Sequence, residues 1–111
     1  MPRYLISFDH GAMDHIPGEE ASAVGEAAHA VVQEAMDAGV FVFAGGCEDA
    51  SVVATDGTVS EAPPNKAYIG GLTIVDVPSR EAALAWAAKI SVACRCAQEV
   101  RAIMPDPAVG N

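Results

Sequence analysis

In residues 3–8 the apolar side chains Tyr4, Ile6 and Phe8 recur at every second position, the period of a strand with one buried face. A polar stretch follows, Asp9-His10-Gly11-Ala12-Met13-Asp14-His15, and closes at Pro17-Gly18. From about Glu19 to Ala38 the period lengthens. Val24, Ala28, Val31 and Ala35 fall on one helical stripe with Glu26, Gln33 and Asp37 opposite, and Gly39 stands where a left-handed cap ends a helix. Ser22 is the candidate cap for a shorter version of this helix, and Gly25 weakens its first turns.

Residues 40–44 (VFVFA) read as a strand that is apolar on both faces and ends at Gly45-Gly46. Residues 51–55 and 58–60 flank Asp56-Gly57, the pattern of a two-residue type I′ hairpin turn. Pro63-Pro64-Asn65 marks a loop. Residues 67–77 form a long β-rich run, and the Gly70-Gly71 pair inside it predicts a bulge or a close approach by another segment. Ser79 is placed to cap a second helix over about Arg80–Lys89, with Glu81 suited to its first turn. Residues 97–103 give a last strand, and Pro105-Asp106-Pro107 begins a frayed tail.

The order β-α-β-hairpin-β-α-β is the split βαβ pattern of a ferredoxin-like α+β sandwich, an antiparallel sheet with two helices on one face. The 111 residues make one domain, 1–104, and a C-terminal tail, 105–111. In such a sandwich the helix-free face should alternate to polar if it met water. Instead the 67–77 run puts Ile69, Thr73, Val75 and Val77 on one side and Tyr68, Leu72 and Ile74 on the other. Leaving four such side chains wet would forgo roughly 1.5–3 kcal/mol each. The expected cover is a second copy, sheet against sheet about a two-fold axis, in a dimeric α/β-barrel arrangement. The tail or the 61–66 loop is the less suited cover, being short and polar.

Six Lys and Arg stand against fifteen Asp and Glu, a formal net charge of -9. That balance repels phosphate backbones and anionic lipid, so neither nucleic acid nor a membrane surface is expected as a partner. No apolar run is long enough to cross a bilayer, the N-terminus lacks a signal pattern, and a cytoplasmic location is expected. The three cysteines, Cys47, Cys94 and Cys96, are odd in number and argue against a disulfide framework. In a strand, Cys94 and Cys96 would share a face and could share a metal; small buried hydrophobes is the plainer reading. No metal and no cofactor are assigned.

Asp9-His10 and Asp14-His15 repeat a carboxylate–imidazole pair that could make an N/O metal site, but an offset of five suits neither a helix face nor a strand face, so a mobile, solvated loop is expected. His29 lies about 140° from the apolar stripe of its helix at ~100° per residue. An exposed surface histidine is the plain reading of that position. The functional one is a general base or acid, with Asp9 available at the end of the first strand to orient it. Neither glycine pair continues into a phosphate-binding pattern, and no serine or cysteine carries a nucleophile motif.

Glu26-Ala27-Ala28-His29-Ala30-Val31-Val32, with Ala38-Gly39-Val40 and Ala44-Gly45-Gly46, resembles the first helix and second strand of YCII-related proteins. Residues 69–77 (IGGLTIVDV), residues 82–90 (AALAWAAKI) and Gln98-Glu99-Val100-Arg101 resemble the second half of that family's DGPF branch. The resemblance leaves out only the 10–18 loop and the tail. It implies a ferredoxin-like fold that dimerises through its sheets and a His/Asp-centred site, which carries over to His29 and Asp9. Dehydrochlorinase-type elimination is linked to a few relatives. Three departures bear on activity more than on fold: Glu61-Ala62-Pro63-Pro64 replaces Asp-Gly-Pro-Phe, Ile90-Ser91 replaces an Asp-Pro pair, and the span from Asp9 to His29 is longer than usual. The expectation is a cofactor-free homodimer that performs elimination or isomerisation on a small organic molecule through His29 and Asp9. The alternatives are a non-catalytic ligand-binding or regulatory module and a plain interaction dimer.

Overall fold

The computed structural model describes residues 2–64 and 66–111. Its elements run β1 (Arg3–Asp9), α1 (Ala21–Asp37), β2 (Phe41–Gly46), β3 (Ser51–Val53), β4 (Val59–Glu61), β5 (Ile69–Asp76), α2 (Arg80–Cys94) and β6 (Glu99–Ala102), with single 3-10 turns at Gly18–Glu20 and Pro107–Val109. β2, β5, β1 and β6 form one antiparallel sheet in that order, and β3 pairs with β4 in a separate hairpin. This is the ferredoxin-like arrangement expected from the element order.

The register assigns the faces. Tyr4 lies opposite Val75 and Ile6 opposite Thr73, so these share the face that the helices cover. Tyr4, Ile6, Val75 and Val77 pack there against Ala83, Ala87, Ile90 and Cys94 of α2, with Ala28 and Val31 of α1 beside them. On the other face Leu5 and Phe43 both lie opposite Ile74, and Ser7 lies opposite Leu72. Leu5, Leu72 and Ile74 are half-buried there and Phe43 is 57% exposed, so the helix-free face is apolar, as the two-sided strands required.

Both helix ends follow local chemistry. At the end of α1, the Gly39 N–H donates to Met36 O and the Val40 N–H to Ala35 O, with Gly39 at φ 74; this is the left-handed glycine cap that satisfies the last carbonyls. α1 starts from the 3-10 turn at Gly18–Glu20, without a side-chain cap, and Ser22 lies inside its first turn. Ser79 Oγ accepts the Ala82 N–H at 3.1 Å and caps α2. α2 runs five residues beyond the expected end at Lys89, to Cys94. Burial of Ile90 and Cys94 in the core overrides the weak helix preference of that stretch, and Arg95 closes the helix at φ 57. Cys94 therefore ends a helix, and the strand geometry imagined for Cys94 and Cys96 does not occur.

β2 runs to Gly46, so the glycine pair closes the strand as expected, paired there with Leu72 and Gly71. The turn type of the β3–β4 hairpin is corrected. At the hairpin tip the Gly57 N–H donates to Ala54 O, the Ala54 N–H to Thr58 O, and Gly57 alone has positive φ. That is a three-residue loop, a type I turn followed by a left-handed glycine, not a type I′ turn. The 10–17 loop is a mostly exposed run of tight turns with Met13 packed against the core, and the exposed tail makes a 3-10 turn capped by Asp106. The loop expected at Pro63-Pro64-Asn65 includes Asn65, which lies outside the described residues.

The glycine pair in β5 is both a bulge and a close approach. The register shifts between Phe8 and Asp9, where Phe8 faces Gly71 and Asp9 faces Ile69. A Cβ on Gly70 would lie 2.8 Å from His10 Cα and 2.9 Å from His10 N. A Cβ on Gly25, in α1, would meet nothing within 4 Å. Urea denaturation should therefore separate the two: Gly25→Ala should stabilise by about 0.5–1 kcal/mol, whereas Gly70→Ala should destabilise by about 1–3 kcal/mol through backbone overpacking. A neutral Gly70→Ala would contradict the crossing.

Candidate functional site

Where α1 passes over the end of the β2–β5 pair, helix and sheet part around a cavity of about 380 Å³. α1 contributes Ala28, Val32 and Met36, spaced four residues apart and so on one side of the helix, with His29 beside them. Phe8, at the end of β1, and Phe41 and Ala44 of β2 supply sheet walls, with Thr73 from β5 and Ile90 and Cys94 from α2. The shape follows from the residues: glycines at 45 and 46 leave the end of β2 without side chains, and alanines at 28 and 44 keep the opposing walls short.

Ion pairs across the surface hold α1 against α2. Lys89 Nζ donates to Glu34 Oε1 at 2.6 Å and also lies 5.3 Å from the centre of the Trp86 ring. Arg95, at the end of α2, pairs with Glu20 just before α1. Exposed pairs of this kind contribute at most about 1 kcal/mol each.

His29 lines the cavity from an exposed position on α1. Asp9 is exposed at the end of β1 and does not line the cavity, and among the described residues no hydrogen bond or ion pair joins it to His29. The register shift at Phe8/Asp9 and the turn that follows, in which Asp9 O accepts the Ala12 N–H at 3.0 Å, lead the chain away from α1. A different carboxylate–imidazole pair forms instead. His10 Nε2 lies 2.9 Å from Asp49 Oδ1, and the His10 ring stacks on Tyr68 with centroids 4.6 Å apart. Separated by 39 positions, this pair had no spacing signal; it ties the β2–β3 link to the end of β1. Asp14 and His15 are exposed, and among the described residues no three His, Cys, Asp or Glu side chains are placed to hold one ion.

The cysteines divide by burial. Cys94 is buried in the cavity wall, and that burial, with Cys96 close by, raises its thiol above the ordinary value. Burial raises Cys96 as well, opposed in part by the Gln98 amide. Both keep their protons at neutral pH, so Cys94 serves the cavity as an apolar wall. Cys47 is exposed, and all three thiols are free.

Fold and site together define a small α+β domain with an apolar cavity between its first helix and its sheet, and an imidazole at the wall. The family model of the YCII-related domain matches residues 4–106. The chain belongs to the YCII-related family. No curated protein matches it. Among the described residues no helix is long and apolar enough to cross a membrane.

Two measurements check this electrostatic picture. Iodoacetamide at mildly alkaline pH should label Cys47 well ahead of Cys94 in the native protein, as read by peptide mass spectrometry, with the difference abolished by urea; Cys94 labelled first would contradict its burial. At the hairpin tip, Asp56 Oδ1 accepts the Thr58 N–H at 2.9 Å, which holds the carboxyl below its ordinary value. A depressed folded-state value means the contact is present above the unfolded pKa and lost as pH falls through the folded one. The Thr58 amide resonance should therefore titrate with a midpoint below that of a free aspartate.

Proposed function

We propose that the chain is a homodimeric, cytoplasmic small-molecule protein whose ligand occupies the cavity beneath α1. The carrying observation is the cavity itself, about 380 Å³ and walled by three strands of the sheet and both helices. Volumes of this size suit compact organic ligands. The three free thiols suit a reducing compartment.

Support for the dimer comes from the helix-free face. Leu5, Leu72, Ile74 and Phe43 lie together on it, and covering each is worth roughly 1.5–3 kcal/mol. Val53 and Val59, opposed across the hairpin, add 66% and 65% exposed apolar side chains that a second copy could cover. Pairing of two such sheets closes a barrel-like dimer.

Acid–base chemistry of the elimination or isomerisation type is the second reading, favoured by the placement of His29 in the cavity wall. Within the protomer the imidazole lacks the Asp9 hydrogen bond, so it works without an orienting carboxylate. Nitrobenzisoxazole, whose ring opens on loss of one proton to a base, separates the readings. A catalytic site should open it faster than buffer does and lose at least about tenfold in rate with His29→Gln. A purely binding site should show equal rates in both proteins while still taking up apolar probes.

The dimer is tested by light scattering at low micromolar concentration. The protein should have twice the protomer mass, and Phe43→Asp should shift it to the protomer mass with its circular dichroism retained. A wild-type monomer would remove the dimer from the account.

A further inference from the structure

We propose that the cavity accepts an uncharged, mostly hydrocarbon molecule and rejects anions, and that Gly71 sets the size of that molecule by letting the Phe8 ring lie flat on the sheet. This rests on the cavity being the ligand site and names the class of ligand.

The selectivity follows from what the walls lack. Among the described residues neither lysine nor arginine lines the cavity, and neither aspartate nor glutamate does. Its titratable groups are His29, exposed at the side, and the protonated thiol of Cys94. An anion entering would shed its hydration for Phe8, Phe41, Val32 and Ile90, with a single imidazole to compensate, against the field of a chain of net charge -9. A cation would lose its water with no carboxylate to replace it. A neutral molecule meets neither penalty. Thr73 and His29 can satisfy one or two polar atoms on it.

Size control comes from the register. Phe8 and Gly71 are direct partners on the helix-covered face. A Cβ on Gly71 would lie 2.3 Å from Phe8 Cζ and 2.6 Å from Phe8 Cε1, closer than non-bonded carbon atoms approach. The ring therefore occupies the space where any other residue would carry its side chain. The contacted atoms are the far end of a side chain, so the ring can yield. The sheet lies beneath it and the cavity above, so it yields by lifting into the cavity. Gly71 acts as a positioning residue: it touches no ligand but fixes the wall that does.

The test uses the full chain and a matched pair of fluorescent probes, anilinonaphthalene and its sulfonated form, which differ by one negative charge. Titration should show the neutral probe binding at one site per protomer, about tenfold or more tighter than the sulfonate. Gly71→Ala should weaken the neutral probe by a similar factor with circular dichroism unchanged. Val32→Phe fills the same space from the half-exposed side of α1 and gives the same readout if Gly71→Ala fails to fold. Equal or tighter binding of the sulfonate would overturn the ligand class and leave the cavity reading standing. Unchanged affinity in folded Gly71→Ala would overturn the role given to Gly71. No binding of either probe would overturn the cavity reading itself.

Discussion

The pairing of β1 with β5, closed at one end by two glycines, is the constraint on which the rest of the molecule depends. Four core side chains, Tyr4, Ile6, Val75 and Val77, come from these two strands and the residue that follows β5. At the far end of the pair, Gly70 lets the backbone of His10 cross within van der Waals contact, and Gly71 takes the Phe8 ring. The crossing turns the chain after β1 outward into the loop that precedes α1. The ring forms one wall of the cavity. One pair of missing side chains therefore sets the strand register, the exit path of the loop and the shape of the site.

That geometry also explains why the imidazole stands apart from the carboxylate expected beside it. Asp9 follows the register shift and turns with the loop, while His29 lies two turns into α1, on the side of the helix that overhangs β2. The carboxylate–imidazole contact that does form, His10 with Asp49, belongs to the same strand end but lies outside the cavity, where it fastens a linker. The site is thus a hydrocarbon chamber with one proton-exchanging group at its side. The selectivity we propose for it rests on desolvation, not on ion pairing.

The fold was legible in the sequence because each element carried its own local signal. Alternation in β1, the stripe in α1, Gly39 at its end and Ser79 at the start of α2 all stand where the structure uses them. The Gly70-Gly71 pair announced a close approach without naming what approached, since that depends on a segment some sixty residues earlier. The end of α2 was illegible for the opposite reason: the Ile90–Cys94 stretch has weak helix propensity, and only burial of Ile90 and Cys94 in the core keeps it helical. His29 could be placed on its helix by periodicity alone, but not the cavity it lines. That cavity depends on how far α1 stands off from β2, a distance set by Ala28, Ala44 and the side chains of five separate elements.

A crystal of the protein held under xenon pressure tests the existence and character of the chamber most directly, because xenon enters dry apolar cavities and leaves hydrated ones alone. The account predicts a xenon atom between α1 and the β2–β5 pair, in contact with Phe8, Val32 and Ile90. A chain of ordered waters in that space, hydrogen-bonded to Thr73 and His29 and undisturbed by the gas, would contradict it.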